Sequence, residues 1–238
     1  DEYILVVDKP AGMLSVPGKA DDSASVSVED YFANNSKLKI QNSKFLKAAH
    51  RLDMDTSGLL VLARTEQAYV ELQRQFASRE TVKRYEAVLS GVPKHTTPHS
   101  TFRSDVPEPI TQNSKLKIQN SSTQPDGCLE AISLPLIADI NDRPRQRVDM
   151  EHGKPAYTLY DIKKVDKGRT LIHLYPKTGR THQLRVHCAH PSRLACPILG
   201  DPLYGIERAD RMYLHAAELT FRHPITGEPM HFLSPSGF

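Results

Sequence analysis

The sequence is compatible with an α+β fold, because patterns typical of strands and of helices alternate along its 238 residues. The apolar run 58–63 (Gly-Leu-Leu-Val-Leu-Ala) is short and follows turn residues, which is typical of a buried strand. Beyond it, Tyr69, Leu72 and Phe76 recur at helical spacing. Residues 81–89 then alternate as a half-buried strand does.

The first half of the chain predicts four further features in order. Residues 3–7 (Tyr-Ile-Leu-Val-Val) form a short strand-like run, and the turn residues 9–12 (Lys-Pro-Ala-Gly) follow it. Residues 27–33 are long enough for one short helix. Thr65 is a suitable N-cap for a helix that continues to about Arg79.

The second half predicts strands at 156–160 and 170–175, separated by a turn. After the second of these, Thr181 occupies the position of an N-cap, and Pro191 is expected to end the helix that follows. Leu184 and Cys188 are four residues apart in that helix and should share one face.

Composition narrows the class of protein. A hydrophobic content of 39% and a charged content of 25% are ordinary for a soluble globular protein. The apolar runs are too short to cross a membrane, and no signal peptide opens the chain. Cys128, Cys188 and Cys196 are odd in number and lack CxxC spacing, which argues against a disulfide framework or a structural zinc site. We therefore expect a reducing, cytoplasmic location.

The net charge of +3 permits nucleic-acid binding without requiring it. The segment 143–147 carries three arginines, which could grip phosphates or form a solvated edge. The nine residues 35–43 recur without change at 113–121. Each copy lies in a polar stretch, near 34–44 and 94–127, and we interpret both stretches as surface insertions; accessory RNA-binding loops are the alternative.

The tetrapeptide 50–53 (His-Arg-Leu-Asp) lies immediately before the turn that leads into the predicted strand at 58–63. A loop beside a buried strand can hold a carboxylate rigidly next to solvent. Taken alone, an Arg-x-Asp pair is equally well a surface ion pair.

Together with Thr56, Ser57 and Gly58, this tetrapeptide resembles the signature His-Arg-Leu-Asp-x-x-Thr-Ser-Gly of the RluA family of pseudouridine synthases. Every fixed position of that signature is filled. Further segments resemble the family at 9–12 (Lys-Pro-x-Gly), 178–187 (Thr-Gly-Arg-x-His-Gln-Leu-Arg-Val-His), 197–205 (Pro-Ile-x-Gly-Asp-x-x-Tyr-Gly) and 213–228. The run 143–148 (Arg-Pro-Arg-Gln-x-Val) resembles the RluA branch in particular.

The resemblance implies an α+β fold with a mixed, largely antiparallel central sheet, flanking helices and a central RNA cleft. It implies one catalytic domain over residues 1–238, without the S4 RNA-binding domain of many relatives. It also implies that uridine is isomerised to pseudouridine in 23S rRNA, in tRNA anticodon stem-loops or in both, with no metal and no cofactor. We take a monomer as the default state.

By the same resemblance, Asp53 is the catalytic carboxylate, which attacks either the sugar or the uracil ring. Arg185 pairs with it, and a nearby cation keeps a carboxylate ionised. Tyr85 stacks on the target base and assists removal of the C5 proton. The alternatives are a structural ion pair for Asp53, a phosphate contact or surface charge for Arg185, and a half-buried core aromatic for Tyr85.

Three more residues are predicted to contact RNA: Arg51, His50 and Arg180. Arg51 would fill the gap left by the flipped uridine and offset part of the cost of extruding the base. Its alternative is a phosphate contact. Asp55 is a second carboxylate near Asp53, and we interpret Asp55 as a surface or turn residue.

Two other functions compete with this interpretation. His182, His187 and His190 could suggest a metal-dependent hydrolase, but their spacing does not place all three on one helical face, and we expect structural hydrogen bonds from His182 and His187. A non-catalytic RNA-binding or ribosome-assembly factor could share the fold, since fold does not fix function. The presence of Asp53, Tyr85 and Arg185 favours the enzyme.

Overall fold

The computed structural model describes residues 1–18, 26–34, 45–93 and 129–238. Both copies of the duplicated segment and Cys128 lie outside these ranges. So do the two predicted insertions, apart from residue 34.

The described residues contain eleven strands and three helices. In chain order they are β1 (Ile4–Lys9), α1 (Val28–Asn34), β2 (Lys47–Ala48), β3 (Ser57–Ala63), α2 (Glu66–Ala77), β4 (Val82–Leu89), β5 (Glu130–Ser133), β6 (Leu136–Ala138), β7 (Gln146–Val148), β8 (Tyr157–Asp166), β9 (Arg169–Pro176), α3 (Gln183–Ala189), β10 (Leu214–Arg222) and β11 (Pro229–Leu233).

Nine of the described strands form one sheet in the order β1-β3-β10-β4-β9-β8-β5, with β2 beside β3 and β11 beside β10. Neighbouring strands pair antiparallel, except that β3 and β10 run parallel where His215 faces Ser57. β6 and β7 form a separate two-stranded sheet. The predicted α+β architecture with a mixed, largely antiparallel sheet is confirmed.

Strand β3 is buried along its whole length because it is covered on both faces. Leu59, Val61 and Ala63 belong to the core that includes Ala68 and Leu72 of α2. The alternate residues Leu60 and Leu62 pack with Val28 of α1 on the other face. Two covered faces explain why this strand is continuously apolar instead of alternating.

The helix predicted after β3 is confirmed, with its cap. The hydroxyl of Thr65 accepts a hydrogen bond from the amide of Ala68 at 3.2 Å. The helix ends at Ala77, two residues earlier than expected, and Arg79 takes a left-handed conformation with φ 60°.

The helix predicted after Thr181 exists, but its predicted cap is wrong. The N-cap is His182, in the left-handed region at φ 53° and without a capping side-chain bond. The turn is instead held from inside the helix, because Gln183 Oε1 accepts hydrogen bonds from the Arg180 amide and the Thr178 hydroxyl. Leu184 and Cys188 pack in one core cluster, as their spacing predicted.

Gly58 is the residue that β3 requires at its entrance. It has φ +111°, and a Cβ there would lie 2.4 Å from the carbonyl oxygen of Ala216 on the parallel strand. We expect Gly58→Ala to lower the free energy of unfolding by about 2 kcal/mol or more, since backbone strain and a steric clash add. Urea unfolding followed by circular dichroism measures the loss.

The matched control is Gly168→Ala, in the β8–β9 turn. Gly168 also has a positive φ of +76°, but a Cβ there would meet nothing within 4 Å. This variant therefore carries the strain without the clash. Equal losses of stability in the two variants would contradict the role assigned to the close approach at Gly58.

Candidate active site

Asp53 lies in the loop between β2 and β3, and both of its neighbours in the chain are fixed by the segment that follows β1. Ser15 Oγ accepts a hydrogen bond from the Leu52 amide at 2.9 Å and donates one to the Leu52 carbonyl at 2.8 Å. The Met54 carbonyl accepts one from the Gly12 amide at 2.9 Å. The Asp53 carboxylate, with its side chain 28% exposed, therefore projects from a pinned backbone.

Lys9 strengthens the same anchorage from beneath the loop. Its side chain is buried, and Nζ donates to the carbonyl oxygens of Pro10, Met13 and Met54 at 2.7–2.9 Å. Burial lowers the pKa of Lys9 to about 8, although the charge of Asp53 and that of Asp55 act in the opposite direction. Sequence analysis noted the Lys-Pro-x-Gly turn without assigning this role.

Arg185 reaches the site from α3 and is buried between two carboxylates. Its Nε and Nη2 donate to Asp201 at 2.8 and 2.6 Å, and Nη1 lies 3.6 Å from Asp53 Oδ2. Its guanidinium also lies 5.3 Å from the centre of the Tyr204 ring. Burial alone would lower the pKa of Arg185, but the hydrogen bonds and charge of Asp201, with the charge of Asp53, raise it.

Asp201 holds Arg185 more tightly than Asp53 does. Besides the guanidinium, it accepts hydrogen bonds from the amides of Leu203 and Tyr204 at 2.8 and 3.1 Å. Burial opposes ionisation, yet Arg185 and these amides hold the pKa of Asp201 below its usual range. Sequence analysis missed this residue as a site component; the signal was its place in the Pro-Ile-x-Gly-Asp segment.

Tyr204 connects this pair to His182. Its Oη accepts a hydrogen bond from the Gln146 amide at 2.7 Å and lies 2.8 Å from His182 Nδ1. The Tyr204 oxygen therefore bridges the Gln146 backbone and the imidazole of His182. Burial lowers the pKa of His182, which favours the neutral imidazole.

The predicted structural hydrogen bonds of His182 and His187 are confirmed. His187 is fully buried, with Nδ1 3.0 Å from Thr158 Oγ1 and Nε2 3.1 Å from the Leu134 carbonyl oxygen. Burial lowers the pKa of His187 to about 4. His190, the third histidine of that group, contacts Ser192 at 2.8 Å.

Tyr85 stands on β4 at the centre of the sheet, between Leu174 of β9 and Ala216 of β10. It is half-buried and packs against the cores on both sides of it. Burial and the negative charge of Asp53 raise the pKa of the Tyr85 phenol. The three predicted catalytic residues, Asp53, Arg185 and Tyr85, therefore meet in one region of the described structure.

The three predicted RNA-contacting residues differ in how far the protein itself holds them. Arg51 is exposed. His50 stacks on Phe76 with ring centres 4.5 Å apart, and its Nε2 accepts a hydrogen bond from the Val61 amide at 3.3 Å. Burial and the charge of a nearby lysine lower the pKa of His50 to about 3, so the ring is neutral.

Arg180 is partly exposed and donates from Nε to the Pro155 carbonyl at 3.0 Å. In the arginine-rich segment, Arg145 binds the Leu203 carbonyl at 2.9 Å and pairs with Asp142. The exposed Arg147 pairs with Asp149 at 2.9 Å, and Arg143 is exposed. The contacts of this segment with RNA stay predictions.

Comparison with known proteins decides the family. Residues 3–190 match the family model described as RNA pseudouridylate synthase. The chain belongs to the RNA pseudouridine synthase family. It is therefore an RNA-modifying isomerase. Separately, no described helix is long and apolar enough to cross a membrane.

Relatives within the family include the dual-specificity RNA pseudouridine synthases RluA of three bacteria. The chain is 37% identical to those of Pasteurella multocida and Haemophilus influenzae and 36% identical to that of Escherichia coli. Each match covers all of this chain and 91% of the relative. The resemblance to RluA inferred from the motifs is confirmed.

Solved structures agree on the fold. Human RNA pseudouridylate synthase domain containing 4 superposes with a TM-score of 0.66 at 21% identity, covering 99% of this chain and 86% of the human one. Human RNA pseudouridylate synthase domain containing 1 gives 0.65 at 24%, covering 99% and 80%.

The anchorage by Lys9 is testable with Lys9→Met, which keeps the apolar stem and removes the ammonium. We expect the free energy of unfolding to fall by about 2–5 kcal/mol, because the carbonyls of Pro10, Met13 and Met54 lose the charged donor that they share. Urea unfolding measures this change. Lys164→Met is the control, since that exposed lysine forms a surface pair with Asp166 and should change stability little.

Asp201→Asn tests the buried pair with Arg185. We expect about 3–5 kcal/mol of destabilisation at neutral pH, since the variant leaves a buried cation without its strongest partner. Because the pKa of Asp201 is depressed in the folded state, the stability it contributes is present above pH 3.8 and disappears as the pH falls below that value.

The gap in stability between wild type and Asp201→Asn should therefore narrow in acid. Chemical denaturation across a pH series measures it. Asp142→Asn removes a carboxylate from an exposed pair with Arg145 and is the matched control, with a small expected effect. A gap that stays constant down to strongly acidic pH would show that the charge of Asp201 does not hold Arg185.

Proposed function

We propose that the chain converts specific uridines to pseudouridine in structured RNA of more than one kind, with Asp53 as the catalytic carboxylate. The observation that carries the proposal is the buried guanidinium of Arg185 at 3.6 Å from the Asp53 carboxylate, on a loop pinned at both neighbouring residues. The names of the bacterial relatives support more than one kind of RNA substrate. By resemblance, these are 23S rRNA and the tRNA anticodon stem-loop.

The reaction is an isomerisation and needs no oxidant or reductant. The bond between N1 of uracil and C1′ of ribose breaks, the base turns, and C5 bonds to C1′. The proton at C5 leaves, and N1 carries a proton in the product. Asp53 would form a transient covalent bond, to C1′ or to the uracil ring, and be released when the new bond is complete.

Arg185 would act by orienting Asp53 and keeping it ionised. Its firm attachment to Asp201 fixes the guanidinium plane, so Nη1 faces Asp53 throughout. A preorganised cation beside the carboxylate needs no rearrangement during the reaction. Tyr85 would stack on the uracil. As a neutral phenol, its hydroxyl could take part in C5 deprotonation only as an acceptor that passes the proton on.

Access to the uridine requires that it leave the RNA stack, at a cost of a few kcal/mol. The exposed Arg51 lies two residues from Asp53 and is suited to occupy the space that the base vacates. His50 and Arg180 would line the approach, where His50 contributes a neutral ring surface.

The proposal also includes a single catalytic domain over residues 1–238, acting as a cytoplasmic monomer. One sheet of the described residues extends from β1 near the start of the chain to β11 near its end, which supports a single domain. The odd number of cysteines and their lack of CxxC spacing, which we interpret as typical of a reducing compartment, support the cytoplasmic location.

Tritium release from RNA labelled at uridine C5 tests the proposal. The substrates are bulk rRNA and tRNA from a strain that lacks this enzyme, and EDTA is present throughout. We expect wild type to release tritium and Asp53→Asn to be slower by a factor on the order of 10³ or more. Asp55→Asn is the matched control, since it removes a carboxylate two residues away and should retain activity.

Other outcomes point elsewhere. If neither wild type nor the variants release tritium although all bind RNA, the non-catalytic factor becomes the better account. Equal rates for wild type and Asp53→Asn would remove Asp53 from the chemistry. Loss of wild-type activity in EDTA alone would point to a metal requirement.

A further inference from the structure

Lys83 lies on the same face of the sheet as Tyr85. The two are separated by one residue on β4, and alternate residues of a strand point to one side, about 7 Å apart. Lys83 is half-buried. Lys83 is therefore the next residue on that face of β4 after the tyrosine that would stack on the target base.

Aromatic contacts connect Lys83 to the loop between β2 and β3, which carries Asp53. Its Nζ lies 5.9 Å from the centre of the Phe76 ring, within the range of a cation–π interaction. Phe76 in turn stacks on His50, at 4.5 Å between ring centres. Since His50 immediately precedes Arg51, these contacts connect Lys83 to the loop that carries the residue proposed to fill the place of the flipped base.

Two more cations approach Lys83 from neighbouring elements. Tyr85 pairs with Leu174 in the antiparallel register of β4 and β9, so Lys177, just after the end of β9, emerges at the end of the sheet where Lys83 lies. Arg79 lies in the short connection between α2 and β4. Burial and then the charges of Arg79 and Lys177 lower the pKa of Lys83.

We call these three cations the Lys83 cluster. Within the described ranges, none of Arg79, Lys83 and Lys177 forms an ion pair. By contrast, Arg74 on the same helix as Phe76 pairs with two glutamates. Like charges gathered without a counter-charge repel one another, and an anion that arrives with a ligand would relieve this.

Arg79 has an unfavourable backbone position for an arginine. The amide of Arg79 bonds the Phe76 carbonyl at 3.3 Å, and the amide of Glu80 bonds the Gln75 carbonyl at 3.0 Å. This is a helix C-terminus at which the residue with φ 60° is usually glycine. A side chain with a Cβ is strained there, so stability alone does not explain the arginine.

We propose that the Lys83 cluster is a subsite for an RNA phosphodiester, adjacent to the nucleotide that stacks on Tyr85. The inference rests on the proposed function and adds to it the position at which the backbone next to the target is held. Three cations on three different elements would clamp one phosphate and fix the register of the strand, while Tyr85 and Arg51 act on the base.

The test measures binding of a labelled RNA hairpin with a uridine in its loop, in an Asp53→Asn background in which turnover is suppressed. Lys83→Met keeps the stem over Phe76 and removes the charge. At about 0.1 M salt we expect affinity to fall about five- to eightfold, and the slope of log affinity against log salt to become shallower by about 0.7–0.9. Lys177→Gln should behave similarly.

Arg79→Gly separates binding from folding. Glycine suits the left-handed position, so the melting temperature should stay equal or rise while RNA affinity falls. The control is Lys167→Asn, at the left-handed turn between β8 and β9, at the other end of β9 from Lys177. It removes one exposed positive charge, and its affinity and salt slope should match those of the parent.

Neutral methylphosphonate linkages, placed one at a time in the hairpin, identify the phosphate. At one position the substitution should weaken binding to the parent but not to Lys83→Met. If no position behaves in this way, or if Lys83→Met binds like Lys167→Asn, the subsite is overturned. Tritium release is measured separately, on protein that retains Asp53. If that protein is inactive while Lys83→Met still weakens RNA binding in the Asp53→Asn background, only the proposed function is contradicted.

Discussion

The site depends on how a buried arginine is neutralised. Removing a guanidinium from water is costly unless a carboxylate and well-formed hydrogen bonds accompany it. Asp201 meets that requirement for Arg185 through two short bonds, and two backbone amides hold Asp201 in turn. Asp53, at 3.6 Å and with its side chain 28% exposed, is consequently not needed to keep Arg185 in place. Asp201 thus binds the cation, and the Asp53 carboxylate stays free for the role proposed for it.

A similar division holds for the loop that carries Asp53. Antiparallel pairing of β1 with β3 brings the end of β1 to the entrance of β3, where Lys9 faces Gly58. The segment after β1 can then reach Leu52 and Met54 with Ser15, Gly12 and the Lys9 ammonium. Every one of these bonds ends on the backbone, so the Asp53 side chain is left accessible while its position is fixed. Rigidity of this kind is what a reacting carboxylate requires.

The sequence predicted those elements whose stability is local. Residues close together in the sequence were sufficient to predict three features. These are the Thr65 cap, the apolar strand β3, and the face that Leu184 and Cys188 share. The strands β2, β5 and β6 have two to four residues, too few to show a period, and sequence analysis missed them. The cap of α3 was misassigned because Gln183 supplies the turn with hydrogen bonds that a threonine normally would.

The same limit separates the predicted catalytic residues from the residues that hold them. Asp53, Tyr85 and Arg185 were predicted from the resemblance of local segments, and their catalytic roles stay predictions. Asp201 and Ser15 act on partners 16 and 37 residues away, a relation that no spacing within one element expresses. Tyr204 adds a third case, because its hydroxyl accepts a hydrogen bond from the amide of Gln146, 58 residues distant, while it also contacts His182 Nδ1. The arginine-rich segment beside Gln146 is thereby joined to the site through one phenol, and Arg145 is joined through the Leu203 carbonyl. These contacts account for Arg145 as part of the scaffold and leave Arg143 and Arg147 as the exposed members of that run.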